Sequence, residues 1–251
     1  MTSRRRMLAE DNVTSKGVVN GVIQDDWETI CKIAKAGRAS SFYSVGNKKD
    51  LTWGEFGPAQ MMLAAIDTDD RSDGKGKANM TWIPYRMAQM QVYDSSSNAG
   101  NLMGIVDLAK PAIKAGVNGY DISSIGIVCE GMIYKLPHCL QKGILQVKKL
   151  CDAIDSKTLV EGNYRLWLFR AKEIGITASG DTSTLVYKSP KPHNCPYHYG
   201  SYTGANFGYL IRNTSGDTTY NSLSQGIVDK YGSFSSGGVN ETYYFTPCFC
   251  L

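Results

Sequence analysis

Four aspartates crowd a short stretch near residue 70: Asp67, Asp69, Asp70 and Asp73, followed by Gly74. Oxygen ligands so close together suggest a calcium loop. An EF-hand register starting at Asp69 needs an oxygen ligand at its third position and a glutamate at its twelfth, and the chain has Arg71 and Met80 there. The EF-hand reading fails, and a looser calcium site stays open beside a simpler one. The simpler reading is a solvated turn between two strands, with Gly74 and Gly76 supplying positive φ.

"HNCPYH" brings His193, Cys195 and His198 together, which are zinc-ligand types. The group lacks a second ligand pair at a recognisable spacing, and Pro192 and Pro196 mark an extended surface loop. No metal and no cofactor are therefore expected. The seven cysteines (Cys31, Cys129, Cys139, Cys151, Cys195, Cys248 and Cys250) are odd in number, irregularly spaced and without a C-x-x-C. That pattern predicts thiols rather than a disulfide framework. Nucleophile-elbow, Walker, dinucleotide and H-E-x-x-H motifs are missing, and the carboxylates are scattered. The reading is of a protein that is not an enzyme.

The elements that position these residues follow from periodicity. In "DDWETICKIAKAG", Asp25 or Asp26 caps a helix, Trp27, Ile30, Cys31 and Ala34 recur at helical spacing, and Gly37 ends it. "FYSVGNKKDLTW" reads as strand, turn and strand, and "MMLAAIDTD" as a buried strand. "TWIPYRMAQM" reads as a strand or short helix, and a helix is expected near Leu102 to Ala115. "ISSIGIVCEGMIYKL" looks like two short strands. After Pro137, Leu140, Ile144, Val147, Cys151 and Ile154 make one apolar stripe, predicting a second main helix. "NYRLWLFRAKEIGI" is apolar on both sides, as in a central buried strand. In "TPCFCL", Cys248 and Cys250 share one face of a strand and Phe249 and Leu251 the other, so this strand too is expected inside the core. Cys248 also stands four from the final residue of the sequence, which imitates a prenylation box.

From Tyr199 to Thr246 Tyr, Ser, Gly, Asn and Thr dominate, with few charges. Tyrosine offers rigid amphipathic contact area and Ser, Gly and Asn adaptable hydrogen bonding, the mixture that recognition loops use. Hairpin tips such as "NTSGD" and "SSGG" use the same residues for turns alone. Residues 1–24 read as an extended arm in front of one α+β domain over 25–251. The net charge is +4, much of it in Arg4, Arg5 and Arg6, and no basic stripe lies elsewhere. Nucleic acid is thus a poor partner. There is no apolar run that would span a bilayer and no h-region after the basic start, so neither membrane insertion nor a signal peptide is expected.

The chain resembles a domain family common in phage, prophage and surface proteins of gut bacteria. That family opens W-x-x-I, continues through Y-x-V-G-D-x-K and D-G-x-G-K-A-x-I-T-F, and later shows L-P-x-x-L-Q, L-W-L and a terminal A-P-A-F-C-L. Here Trp27, Ile30, Tyr43, Val45, Gly46 and Lys48, then "SDGKGKANMTW", "LPHCLQ", "RLWLF" and "TPCFCL" answer in order over residues 27 to 251. Asn47 replaces the usual Asp, and the W-W-L-R-S segment survives only as "GYLIRN", with Tyr209, Leu210 and Arg212. The family is similar to C-type-lectin-like domains of the formylglycine-generating-enzyme type, which include phage receptor-binding tips.

The resemblance implies a single C-type-lectin-like α+β domain with two main helices, a mixed or antiparallel sheet and long loops. It implies a bacteriophage virion protein, made in the host cytoplasm: a tail-tip, fibre or head-fibre adhesin, expected as a homotrimer. Its partners would be a host-surface glycan or protein and other virion proteins, with Arg4, Arg5 and Arg6 docking into the particle. The expected receptor-binding residues lie in the 199–246 segment: Tyr202, Asn206, Tyr209, Arg212, Tyr220, Asn221, Tyr231, Asn240 and Tyr243. A capsid-decoration or connector protein that binds only neighbouring subunits is the alternative, and an enzyme acting on surface polysaccharide the second. In a phage protein the prenylation match of Cys248 is accidental.

Overall fold

The computed structural model describes residues 14–54, 57–87, 91–92, 131–152, 159–170, 172–175, 187, 197–198, 209–214, 224–228, 234–238, 243–244 and 247–251. It is an α+β structure with many strands and few, short helices. The expected helix near 102–115 and the arginines Arg4, Arg5 and Arg6 lie outside the described residues.

The first helix, α1 (Trp27–Lys35), forms as its sequence predicts. Asp26 caps it, its carboxylate accepting from the Thr29 amide at 2.8 Å. Glu28 stands in the first turn and Lys32 and Lys35 in the last, complementing the helix dipole. Gly37, at φ +66°, supplies the left-handed turn that ends it. The buried stripe is Trp27, Ile30, Ile33 and Ala34; Cys31 is only half-buried. A short helix α2 (Ala39–Phe42) follows, and the strand expected to open at Phe42 is turn and irregular chain up to Asn47. Asn79 Oδ1 accepts the Ala39 amide at 3.0 Å, satisfying a donor at the start of α2. Asn47 Oδ1 accepts the Ser44 amide, closing the next turn.

The main sheet is eight-stranded. Its path runs β1 (Val18–Val19), β2 (Val22–Ile23), β3 (Lys48–Thr52), β4 (Pro58–Ile66), β5 (Met80–Met87), β15 (Cys248–Cys250) and β9 (Leu166–Trp167), with β10 (Tyr197–His198) alongside β5. Ala59 to Ala65 of β4 are buried without interruption, the signature of a strand covered on both faces. Leu166, Trp167, Leu168 and Phe169 are likewise all buried, although β9 ends the sheet path rather than lying at its centre. The closing strand β15 sits between β5 and β9, with Phe249 opposite Trp82 on one side and Leu166 on the other. Trp27, Trp82 and Phe249 meet edge-on or stacked at centroid distances of 5.0, 5.9 and 6.4 Å, a geometry aromatic rings prefer.

The second expected helix is a correction. The helix α3 covers only His138–Gly143, and Val147–Asp152 is strand β7, paired antiparallel with β8 (Leu159–Tyr164). A four-residue step from Val147 to Cys151 fits a helix face and a strand face equally. Lys149 decides it: Val147, Lys149 and Cys151 are buried and alternate with exposed Lys148 and Leu150. Met132–Lys135, expected as strand, is a 3-10 turn.

The end of the stretch read as an arm is built into the sheet, since Val22 pairs with Lys48. It is held by Asp25, whose carboxylate accepts from Ser15 Oγ, the Lys16 amide and Tyr43 Oη at 2.5, 2.6 and 2.7 Å. Burial alone would raise the Asp25 pKa, but these hydrogen bonds outweigh it and hold the carboxyl below its ordinary value. Asp25→Ala strands the buried Tyr43 hydroxyl and is expected to cost about 1–3 kcal/mol in urea unfolding. Because the folded pKa is depressed, this contribution is present above the unfolded value of about 3.9 and is lost as pH falls through the folded one. The Asp25→Ala penalty should therefore shrink at low pH.

Candidate functional site

The residues expected to bind a receptor divide into those the structure describes and those it does not. Tyr202, Asn206, Tyr220, Asn221, Tyr231 and Asn240 lie outside the described residues. Tyr209 and Arg212 fall on β11 (Tyr209–Thr214) and Tyr243 on β14 (Tyr243–Tyr244). These strands belong to a second, five-stranded sheet, in the order β13 (Phe234–Gly238), β12 (Ser224–Val228), β11, β14 and β6 (Gln91–Val92). Register places Tyr209 opposite Val228 on one side and Tyr244 on the other, and Tyr243 opposite Val92. The register shifts between Leu210 and Thr214, an irregularity of the kind that re-aims a strand. The described strands of the Tyr-rich segment pair with one another, β11–β12 and β12–β13 antiparallel as in hairpins, and with residues 91–92, in a sheet distinct from the main one.

The aspartate-rich loop is a turn held by two ion pairs and an amide hydrogen bond. Gly74 and Gly76 have the positive φ the sequence requires, 71° and 93°. Asp70 pairs with Lys77 at 2.6 Å, Asp73 with Arg71 at 2.6 Å, and Asp67 accepts from Asn79 Nδ2 at 2.8 Å. The four carboxylates thus face separate partners. Among the described residues no group of metal-ligating side chains converges. Of the "HNCPYH" group only His198 falls within a described strand.

Asp69 alone turns inward, to a cluster that single-sequence reasoning missed. Lys149 of β7 reaches it with Nζ 2.5 Å from Asp69 Oδ1. Lys149 Nζ also donates to Tyr187 Oη at 2.5 Å, lies 3.7 Å from Glu173 Oε1 and sits 4.4 Å from the centre of the Trp167 ring. Asp69 Oδ2 accepts from Thr81 Oγ1 at 2.5 Å, with Tyr187 Oη at 3.3 Å and Cys250 Sγ at 3.6 Å. Both side chains of the Lys149–Asp69 pair are 1% exposed, which sets this cluster apart from every surface ion pair above. Buried Arg170 lies in the same chain segment as Glu173, whose Oε2 accepts the Arg170 amide at 2.8 Å.

Buried charges survive only when matched. Burial would raise the Asp69 pKa, yet the Lys149 charge and the hydrogen bonds hold its carboxyl below the ordinary range. Burial, with Glu173 and Asp69 nearby, pushes the Tyr187 hydroxyl well up, so it stays a neutral donor. The sequence signal was present in "VKKLCD": at period two, Lys149 falls between two apolar inward positions.

A cleft of 680 Å³ opens between α1, α3 and the aspartate-rich loop. Lys35 and Lys142 line it, as do the half-buried Cys31 and Cys139. Burial, reinforced by the neighbouring Cys139, pushes the Cys31 thiol up to about 12, which makes it a poor nucleophile. Cys31, Cys139, Cys151, Cys248 and Cys250 are thiols rather than disulfides, in line with the spacing; Cys129 and Cys195 lie outside the described residues. Among the described residues no helix is long and apolar enough to cross a membrane. Compared with protein-family models, curated proteins and solved structures, the chain finds no match.

Proposed function

We propose that the chain is a receptor-binding protein of a bacteriophage particle, displaying the 199–246 segment toward a host-surface glycan or protein. One observation carries this reading. The described strands of the segment pair in a sheet distinct from the main one, and the chain then returns to β15, between β5 and β9 of the main sheet. We read this segment, enriched in Tyr, Ser, Asn and Gly, as a surface carried on that scaffold, an arrangement that lets recognition residues vary without loss of fold. The terminal strand inside the core, with two flanking helices and a second sheet before it, is compatible with a C-type-lectin-like domain, and we extend the proposal to that fold. The particle-docking role of Arg4, Arg5 and Arg6 and a trimeric assembly belong to the same proposal. This rests on analogy between folds for the particle and on the segment itself for the binding.

The test is an alanine series at Tyr202, Tyr209, Arg212, Tyr220, Tyr231 and Tyr243, read as binding of purified protein to a panel of bacterial cells and to a glycan array. Recognition surfaces concentrate their energy in a few aromatic and arginine anchors, so at least two changes should weaken binding by about tenfold or more. Unchanged binding across the whole series would refute the assignment. Binding to no cell or glycan, with capture by phage particles instead, would favour a decoration or connector protein.

A further inference from the structure

We propose that Lys149 and Asp69 are joined in the mature protein by an intramolecular amide bond that Glu173 helps to form. The inference stands on the buried cluster and not on the receptor-binding reading. An amine and a carboxyl group 2.5 Å apart, both fixed by packing, have an effective concentration far above any bimolecular encounter. A third group able to carry a proton, Glu173, lies 3.7 Å from the same nitrogen. The chemistry is a condensation and needs no other reagent.

The step balances as follows. A proton moves from the Lys149 ammonium to the Asp69 carboxylate along their contact, leaving a neutral amine and a neutral acid. Water exclusion lowers the cost of this step, because the dry site penalises separated charges. The amine lone pair attacks Asp69 Cγ, forming the C–N bond and placing negative charge on Oδ2. Thr81 Oγ1 already donates to that oxygen at 2.5 Å and Tyr187 Oη at 3.3 Å. They act as an oxyanion hole for the tetrahedral intermediate. Glu173 takes a proton from the nitrogen and returns it to Oδ1, the C–Oδ1 bond breaks, and one water leaves. Glu173 ends in the state in which it began. The Trp167 ring, 4.4 Å from the nitrogen, covers the amine and shields the product from hydrolysis.

The bond would tie the β4–β5 loop to β7 across 80 residues of chain.

Intact-mass measurement of the full chain tests it directly. The expected mass is one water below that of the sequence, after correction for any removal of Met1. Asp73–Gly74 can lose the same mass by cyclising to a succinimide, so location matters. Proteolytic mapping should yield one branched peptide joining the Asp69 and Lys149 fragments, and Asp73→Glu should keep the deficit. Lys149→Arg should restore the full mass. Glu173→Gln keeps an acceptor for the Arg170 amide but cannot shuttle the proton, and should restore the full mass too. A wild-type chain at its full sequence mass would overturn the proposal, as would a deficit mapped to residues 73–74. A deficit retained in Glu173→Gln would overturn the role given to Glu173.

Discussion

Lys149→Met is expected to remove about 3–5 kcal/mol of stability, the usual penalty for deleting one partner of a buried ion pair. Methionine ends one atom short of Nζ but keeps the apolar stem, so little of the loss comes from packing. Asp69 and Glu173 would be left as buried carboxylates without the Lys149 cation between them. Set against a total of roughly 5–15 kcal/mol for an ordinary domain, that brings the variant close to unfolding. The amide proposed above would deepen the loss, since reopening an 80-residue ring returns about 4 kcal/mol of loop entropy to the unfolded chain. Urea unfolding of Lys149→Met beside Lys149→Met/Asp69→Asn provides the check. The double variant should recover part of the loss, because one stranded carboxylate is gone. A single-variant loss below about 1 kcal/mol would show that the cluster is better solvated than its burial indicates.

Phe249→Ala should be comparably damaging, by about 3–5 kcal/mol, through the cavity left between Trp27, Trp82 and Leu166. Phe249 is fully buried between β5 and β9, and the large rings of Trp27 and Trp82 beside it cannot collapse into the space. Cys248→Ala removes far less volume from the same strand and should cost well under half as much. Thermal or urea unfolding of the pair separates the two effects. Equal losses would mean that strand pairing, rather than the ring, holds β15 in place.

What could be read from the sequence was local. The α1 helix carried its own cap, stripe and terminating glycine within a dozen residues. "MMLAAIDTD" and "TPCFCL" were apolar on both faces and became covered strands. The error over Val147 to Cys151 arose because a step of four residues suits both periods. The amide that opens α2 is satisfied by Asn79, 40 residues away, which no local window contains. The buried cluster illustrates the same limit more sharply. Asp69, Thr81, Lys149, Trp167, Glu173, Tyr187 and Cys250 come from separate segments, and no spacing among them forms a motif. Asp69 attracted notice for the wrong chemistry, and Lys149 for none. For the recognition segment, composition marked the stretch, while the pairing of Tyr209 with Tyr244 depended on a parallel contact invisible in sequence.

The position of β15 also bears on how the protein is made. Thr81 and Cys250, neighbours in the finished sheet, are 169 residues apart in the chain. During synthesis β5 emerges long before the strand that covers its edge, and loop entropy must be overcome before that pairing forms. For that interval the ribosome-bound chain presents an apolar, unpaired strand edge of the kind that seeds aggregation. The core therefore closes only after residues 248–250 have been made, and recombinant yield should depend on chaperone supply and growth temperature.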